Sequence, residues 1–154
     1  MNLSKANLIG FNQTKANLSD ADISCALFNN RTQWPKGFDY LNSGAIGPKA
    51  NLSGRDLREA NLIGANLSKA LYNSETQFPE GFDYINSGAI GPKANLSNAN
   101  LSGADLSGAD LREAKLSGAD LSNVNLSKVF YNSQTQWPER FDPLKAGAIF
   151  KDDP

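Results

Sequence analysis

The chain has 154 residues, 15 Lys and Arg against 16 Asp and Glu, no His, one Cys and a formal net charge of −1. That length suits one domain, residues 1–154, and the near-balance of charge argues against nucleic acid and acidic membranes as partners. A lone Cys without His excludes the common zinc sets, Ser-His-Asp and Cys-His catalysis and an intramolecular disulfide. No apolar run approaches the ~18 residues needed to span a bilayer, and no charged-then-apolar leader opens the sequence, so a cytoplasmic protein with no membrane segment, cofactor or metal is expected.

In chain order, three repetitive blocks, 1–28, 50–72 and 94–131, alternate with loops at 29–49 and 73–93 and a C-terminal cap at 132–154. From Ala94 the third block reads ANLSN-ANLSG-ADLSG-ADLRE-AKLSG-ADLSN-VNLSK. Taking Leu as the centre of each unit and the residue two before it as its inner partner, the blocks hold 19 units. Fourteen centres are Leu and fourteen inner partners are Ala, a regularity that demands one repeated local structure. A helix would rotate a five-residue repeat by about 140° per step and scatter the Leu around its axis. A long strand would send alternate Leu to opposite faces. The frame works when each unit is a short extended segment followed by a corner. Leu-Ser-Gly-Ala is a good four-residue turn whose third position takes positive φ in type II geometry. Four corners close a square coil of about 20 residues, and coils stack about 4.8 Å apart with Leu in the centre and Ala in the wall.

Tandem A(N/D)LSG units resemble the pentapeptide-repeat proteins. The resemblance implies an all-β fold, a right-handed quadrilateral β-helix, and it implies no particular activity. The loops resemble segments in cyanobacterial members, through Thr32-Gln33-Trp34-Pro35-Lys36-Gly37-Phe38-Asp39 and its second copy.

The first loop returns 44 residues later: positions 29–52 and 73–96 differ at only five places, 30/74, 31/75, 34/78, 36/80 and 41/85. The C-terminal segment from Asn132 repeats the text with Thr135-Gln136-Trp137-Pro138 and Phe141-Asp142-Pro143. Each is entered through an aromatic centre, Phe28, Tyr72 or Tyr131. Asp142-Pro143 followed by Gly147 reads as one capped helical turn, with Asp39-Tyr40 and Asp83-Tyr84 opening the other two. The spacing of 24 between centres flanking each internal loop reads as four units plus four residues, a loop that replaces about one coil and bulges from it. Counting 44 residues as eight sides places loops 1 and 2 on one face and loop 3 a quarter-turn away.

The candidate partner-binding residues are the loop aromatics Trp34, Phe38, Tyr40, Phe78, Phe82, Tyr84, Trp137 and Phe141, because a wall paved with Ser, Asn and Asp offers few other anchors. The competing reading is that these rings fold back and cover the shaft where the coil is broken. Asp22, Asp56, Asp105, Asp110 and Asp120 face outward in the frame. Some members of the resembled family inhibit DNA gyrase by presenting a duplex-like acidic rod, but Lys5, Lys15, Lys69, Lys115 and Lys128 interleave with these acids here. A solvated wall, with Asn and Asp bonding nearby backbone, is the simpler expectation. Arg55 occupies an inner slot and must escape the shaft or find carbonyls. Phe11 is expected to fill the volume that Gln13 leaves, Gln13 to bond backbone, and Cys25 to be a surface thiol at a corner. The nine Asn-x-Ser/Thr sites are by-products of the repeat.

The first unit begins at Asn2-Leu3 without a cap, which predicts self-association through an open coil, end to end in a homodimer. The function expected is a non-enzymatic scaffold that binds another protein; the alternative is a DNA-mimic inhibitor of a topoisomerase.

Overall fold

The computed structural model describes residues 1–152; Asp153 and Pro154, the end of the expected cap, lie outside the described residues. Among the described residues the backbone is a series of tight turns joined by single parallel bridges, with one two-stranded parallel pair, β1 (Phe130–Tyr131) and β2 (Ile149–Phe150). Sides this short form one bridge each before the next corner resets the direction.

The bridges set the register. Asn2 pairs with Asp22, Asn7 with Leu27, Asn51 with Leu71, and Asn95, Asn100, Asp105 and Asp110 with Lys115, Asp120, Asn125 and Phe130, each 20 residues on and each parallel. Four five-residue sides therefore make one coil. At each regular corner the Ala N–H donates to the Leu carbonyl three residues back, as from Ala104 to Leu101 at 3.0 Å and Ala109 to Leu106 at 2.9 Å. The third turn position has positive φ in Gly103 and Gly108, as expected, and equally in Lys5, Cys25, Lys69, Asn98, Glu113, Asn123 and Lys128. The left-handed conformation, which costs a non-Gly residue about 1 kcal/mol, is thus imposed by the coil rather than chosen by glycine.

Numbering the sides by these ladders, side 1 carries Asn2–Asp22 and side 2 carries Asn7–Leu27–Ile46. Side 3 carries Asn12–Gln33 and, one corner after Ile46, Asn51–Leu71–Ile90. Side 4 carries Asp56–Gln77 and, one corner after Ile90, Asn95–Lys115 with Gln136 beyond. Within each interruption Gln33, Gln77 and Gln136, and then Ile46, Ile90 and Ile149, still pair within the ladders, so the chain leaves the walls only at 34–45, 78–89 and 137–148.

This register corrects the expected loop placement. The chain takes 19 residues from Leu27 to Ile46, from Leu71 to Ile90 and from Phe130 to Ile149, one fewer than a regular coil. The spacing of 24 is therefore five sides less one residue, and 44 residues make nine sides. Loop 1 leaves from side 3 after Gln33, whereas loops 2 and 3 both leave from side 4 after Gln77 and Gln136. The loops sharing a direction are 2 and 3, not 1 and 2.

The interior follows the Leu frame: Leu52, Leu57, Leu106, Leu111 and Leu116 are buried, as are Ala50, Ala94 and Ala114. Inner Ala residues are not uniform, however, and Ala65, Ala99 and Ala104 are half-buried. The first coil departs further. Phe11 is 58% exposed instead of filling the shaft. Gln13 bonds through its backbone, its N–H to the Gln33 carbonyl and its carbonyl to the Ala16 N–H. No helix among the described residues is long and apolar enough to cross a membrane.

Candidate functional site

Each loop begins with the same polar clamp. Asn29 Oδ1 accepts the N–H of Arg31 at 2.9 Å and reaches across one coil to the Gly10 N–H at 3.2 Å. Thr32 Oγ1 donates to the Leu8 carbonyl at 2.8 Å and accepts the Asn29 N–H at 3.1 Å. Asn73 and Thr76 repeat this on Gly54 and Leu52, and Asn132 and Thr135 on Glu113 and Leu111. The clamp ties the point of departure to the coil below; its sequence signal, Asn-x-x-Thr in all three copies, stood apart from the aromatic residues considered as the site.

The aromatic-Pro bonds are trans, there being no cis peptide among the described residues. After them, Phe38 donates its N–H to the Pro35 carbonyl, and Asp39 accepts the Asn42 N–H and side-chain amide at 3.3 and 2.9 Å. Ser43 Oγ closes the segment on the Tyr40 carbonyl at 2.7 Å. These are capped turns, and no helix is present among the described residues where helical turns were expected. Loop 3 comes nearest, with the Ala146 N–H on the Asp142 carbonyl four residues back at 3.2 Å.

The capped turn brings the expected aromatics together. In loop 1, Trp34 stacks on Tyr40 at 5.3 Å and on Phe38 at 5.6 Å, and both Trp34 and Tyr40 stand edge-on to buried Phe28. Loop 2 repeats the set with Phe78, Tyr84 and Phe82 around Tyr72. In loop 3, Trp137 stacks on Phe141 and meets Tyr131 edge-on, while Pro143 stands where the other loops have Tyr. Phe150 supplies the missing second edge-on ring. All eight candidate residues are half-buried and pack against the core, so each ring is part of the cover and also reaches the surface. The Trp137 indole N–H is buried without a partner. Burial raises the Tyr72 hydroxyl well above the usual tyrosine range, and this hydroxyl donates to the Pro92 carbonyl at 2.6 Å.

Two glycines that sequence reasoning passed over complete the clusters. A Cβ on Gly47 would stand 2.7 Å from the Phe28 ring, and one on Gly91 would stand 2.6 Å from the Tyr72 carbonyl oxygen. Phe150 occupies the equivalent place in the third copy, where the ring itself lies over Tyr131. The Ala-Ile-Gly-Pro text shared by copies 1 and 2 was the available signal.

The remaining candidates resolve simply. Arg55 directs its guanidinium to the Asn42 carbonyl at 3.3 Å, and the neighbouring Asn51 N–H bonds the Leu41 carbonyl, so loop 1 supplies the acceptor. Cys25 is half-buried rather than a surface thiol, and burial raises its pKa. The outward Asn and Asp side chains accept the N–H two residues on: Asn100 from Ser102 at 3.0 Å, Asp105 from Ser107 at 3.1 Å, Asp120 from Ser122 at 2.9 Å. Hydrogen bonds from Ser24, Ser107 and Ser122 hold Asp22, Asp105 and Asp120 below the usual carboxylate range. The side-chain hydrogen bond from Arg58 holds Asp56 at about 2. Asp110 is an exception to the solvated row. It is buried, and Arg112 grips it through Nε at 2.9 Å and an NH2 group at 2.7 Å.

Residues 43–71 and 93–129 match the family model described as pentapeptide repeats, in eight copies. These two stretches carry pentapeptide repeats of that family's kind. Comparison with curated proteins finds no match. Among solved structures, the chain is similar to alr5209, a pentapeptide repeat protein from Nostoc Pcc 7120. Identity is 26%, the alignment covers 97% of this chain and 84% of that one, and the TM-score is 0.33.

Proposed function

We propose that this protein is a non-enzymatic scaffold, a right-handed four-sided β-helix that binds another protein through its aromatic loops. The observation that carries the reading is the contrast between the walls and the loops. On the walls, Asn and Asp carboxyl and amide oxygens are engaged with their own turns. At the loops, three clusters of half-exposed rings stand clear of that paving, two of them leaving from the same side. Trp, Tyr and Phe at such sites supply contact area with little loss of side-chain freedom. The acidic-rod alternative has weaker support, because Arg58 and Arg112 neutralise Asp56 and Asp110 in place.

The test is capture from a cognate lysate with Phe38, Phe82 and Phe141 changed together to Ala. Each of these rings stacks on only one neighbour, Trp34, Phe78 or Trp137, so the clusters around Phe28, Tyr72 and Tyr131 survive. A partner held by wild type and lost by the folded variant supports the loops; a partner held equally by both moves the site to the walls. The proposal includes a homodimer through the first coil. In that coil the backbone N–H groups of Asn2, Asn7 and Asn12 make no inter-coil bond, and Met1 and Phe11 are exposed. Light scattering that returns a monomer at high concentration removes the dimer.

A further inference from the structure

Loops 1 and 2 are near-copies, and one of their few differences falls on the wall of the aromatic cluster: Trp34 in loop 1, Phe78 in loop 2, with Trp again at 137 in loop 3. Loop 2 alone therefore carries a single six-membered ring where its counterparts carry a bicyclic indole. Phe78 and Tyr84 draw together to 4.8 Å, against 5.3 Å for Trp34 and Tyr40, with the rings almost parallel in both. Beside this pair lies a cleft of about 410 Å³, walled by Phe78, Phe82, Tyr84 and Pro79 and floored by Tyr72. That volume lies within the range of small-molecule sites, roughly 300–1,000 Å³.

We propose that this cleft is a binding site for a small, uncharged, planar aromatic molecule carrying an N–H donor. The flat shape follows from the walls, which present ring faces and edges suited to stacked and edge-on partners. Neutrality follows from the rim, where the Lys93 ammonium is paired with Glu113 at 3.7 Å and the remaining lining is uncharged. The donor requirement follows from Tyr72. Its hydroxyl gives its proton to the Pro92 carbonyl at 2.6 Å and keeps an oxygen lone pair for an N–H. Loop 1 has Phe28 at that place, so the hydroxyl and the shortened wall coincide only in loop 2 among the internal copies. The cleft shares Phe78, Phe82 and Tyr84 with the protein-binding proposal, but its ligand is a free small molecule, so either reading can fail without the other.

The experiment titrates indole into the full chain and follows the amide resonances of Ser74, Gly81 and Lys93. Wild type is expected to saturate at one equivalent. Phe78→Trp, which copies the wall of loops 1 and 3 and so keeps the fold, is expected to lose about tenfold or more in affinity, equivalent to about 1.4 kcal/mol. Trp34→Phe is expected to open a second, weaker site and raise the stoichiometry to two. Indene, which has the shape but no N–H, is expected to bind several-fold more weakly than indole to wild type and equally to Tyr72→Phe. Failure of these amides to saturate, equal binding by Phe78→Trp, or a stoichiometry that stays at one in Trp34→Phe overturns the proposal.

Discussion

The walls and the loops solve the same problem, closing a coil around an apolar centre, by different means. In the wall one pentapeptide supplies everything. Leu fills the centre, Ala lines the wall, and Asn or Asp fixes the turn by accepting the N–H two residues on, as Asn100 does from Ser102 at 3.0 Å. In the loops no residue type repeats at five. Closure is achieved by an Asn-Thr clamp on the coil below, a capped turn at Asp39 or Asp83, and a cluster of rings around Phe28 or Tyr72. The wall takes 20 residues per coil and the loop 19, and because each loop still completes one coil, the number of wall units between loops decides which side each leaves from. Small changes in the wall should therefore act locally through cavity or turn, and changes in the loop should act through the packing of one cluster.

The largest expected effect is in the wall. Leu106→Ala removes a side chain that is 1% exposed and should destabilise by about 2–5 kcal/mol, read from denaturant melts. A loss below about 1 kcal/mol would mean the centre of the coil is not the Leu column. Next, Gly47→Ala drives a methyl into the Phe28 ring at 2.7 Å and should destabilise by about 1–3 kcal/mol. A neutral outcome would show that the cluster yields more freely than the wall. The partly open environment of Ala104 makes Ala104→Phe milder than Ala114→Phe, whose methyl is fully buried. Equal losses in thermal melts would contradict the uneven burial of the inner ring.

Smaller effects reside in the turns. Asn100→Ala removes the acceptor for the Ser102 N–H and should destabilise by about 0.5–1.5 kcal/mol, whereas Asn100→Asp should be nearly neutral. Acid acts on the same device. Asp22, Asp105 and Asp120 have folded pKa values below the usual carboxylate range, and Asp56 lies at about 2. Their stabilising effect is complete above the unfolded value of about 4 and is lost as pH falls through the lower folded values. Melting temperature should stay flat from pH 7 to 5 and decline between about pH 4 and 2, with a shallower decline in Asp120→Asn. A decline that is unchanged in that variant would assign acid lability elsewhere.

Much of the wall was legible before the fold was known. The five-residue frame identified Leu106 as central and Asn100 as a turn acceptor, because one local rule applies at every repeat. The loops were only partly legible. The aromatic residues and Asp caps were identified from their spacing, but a spacing of 24 fits four units plus four residues as well as five units less one, and only the pairing of Leu27 with Ile46 distinguishes them. Gly47 was missed because its role is to leave room for a ring 19 residues away, which no local pattern encodes. Phe11 was misplaced because the inner slot is apolar by frame, yet the first coil has a neighbouring coil on one side only and its ring reaches solvent. Asp110 looked like any outward acid until Arg112, two residues on, covered it.

The most direct test of the register is a set of backbone nuclear Overhauser contacts across the coils of the labelled protein. The account predicts contacts between residues 20 apart in the wall, Asn95 with Lys115 and Asn100 with Asp120, and between residues 19 apart across the loops, Leu27 with Ile46 and Leu71 with Ile90. Contacts that keep a 20-residue spacing across the loops would contradict it.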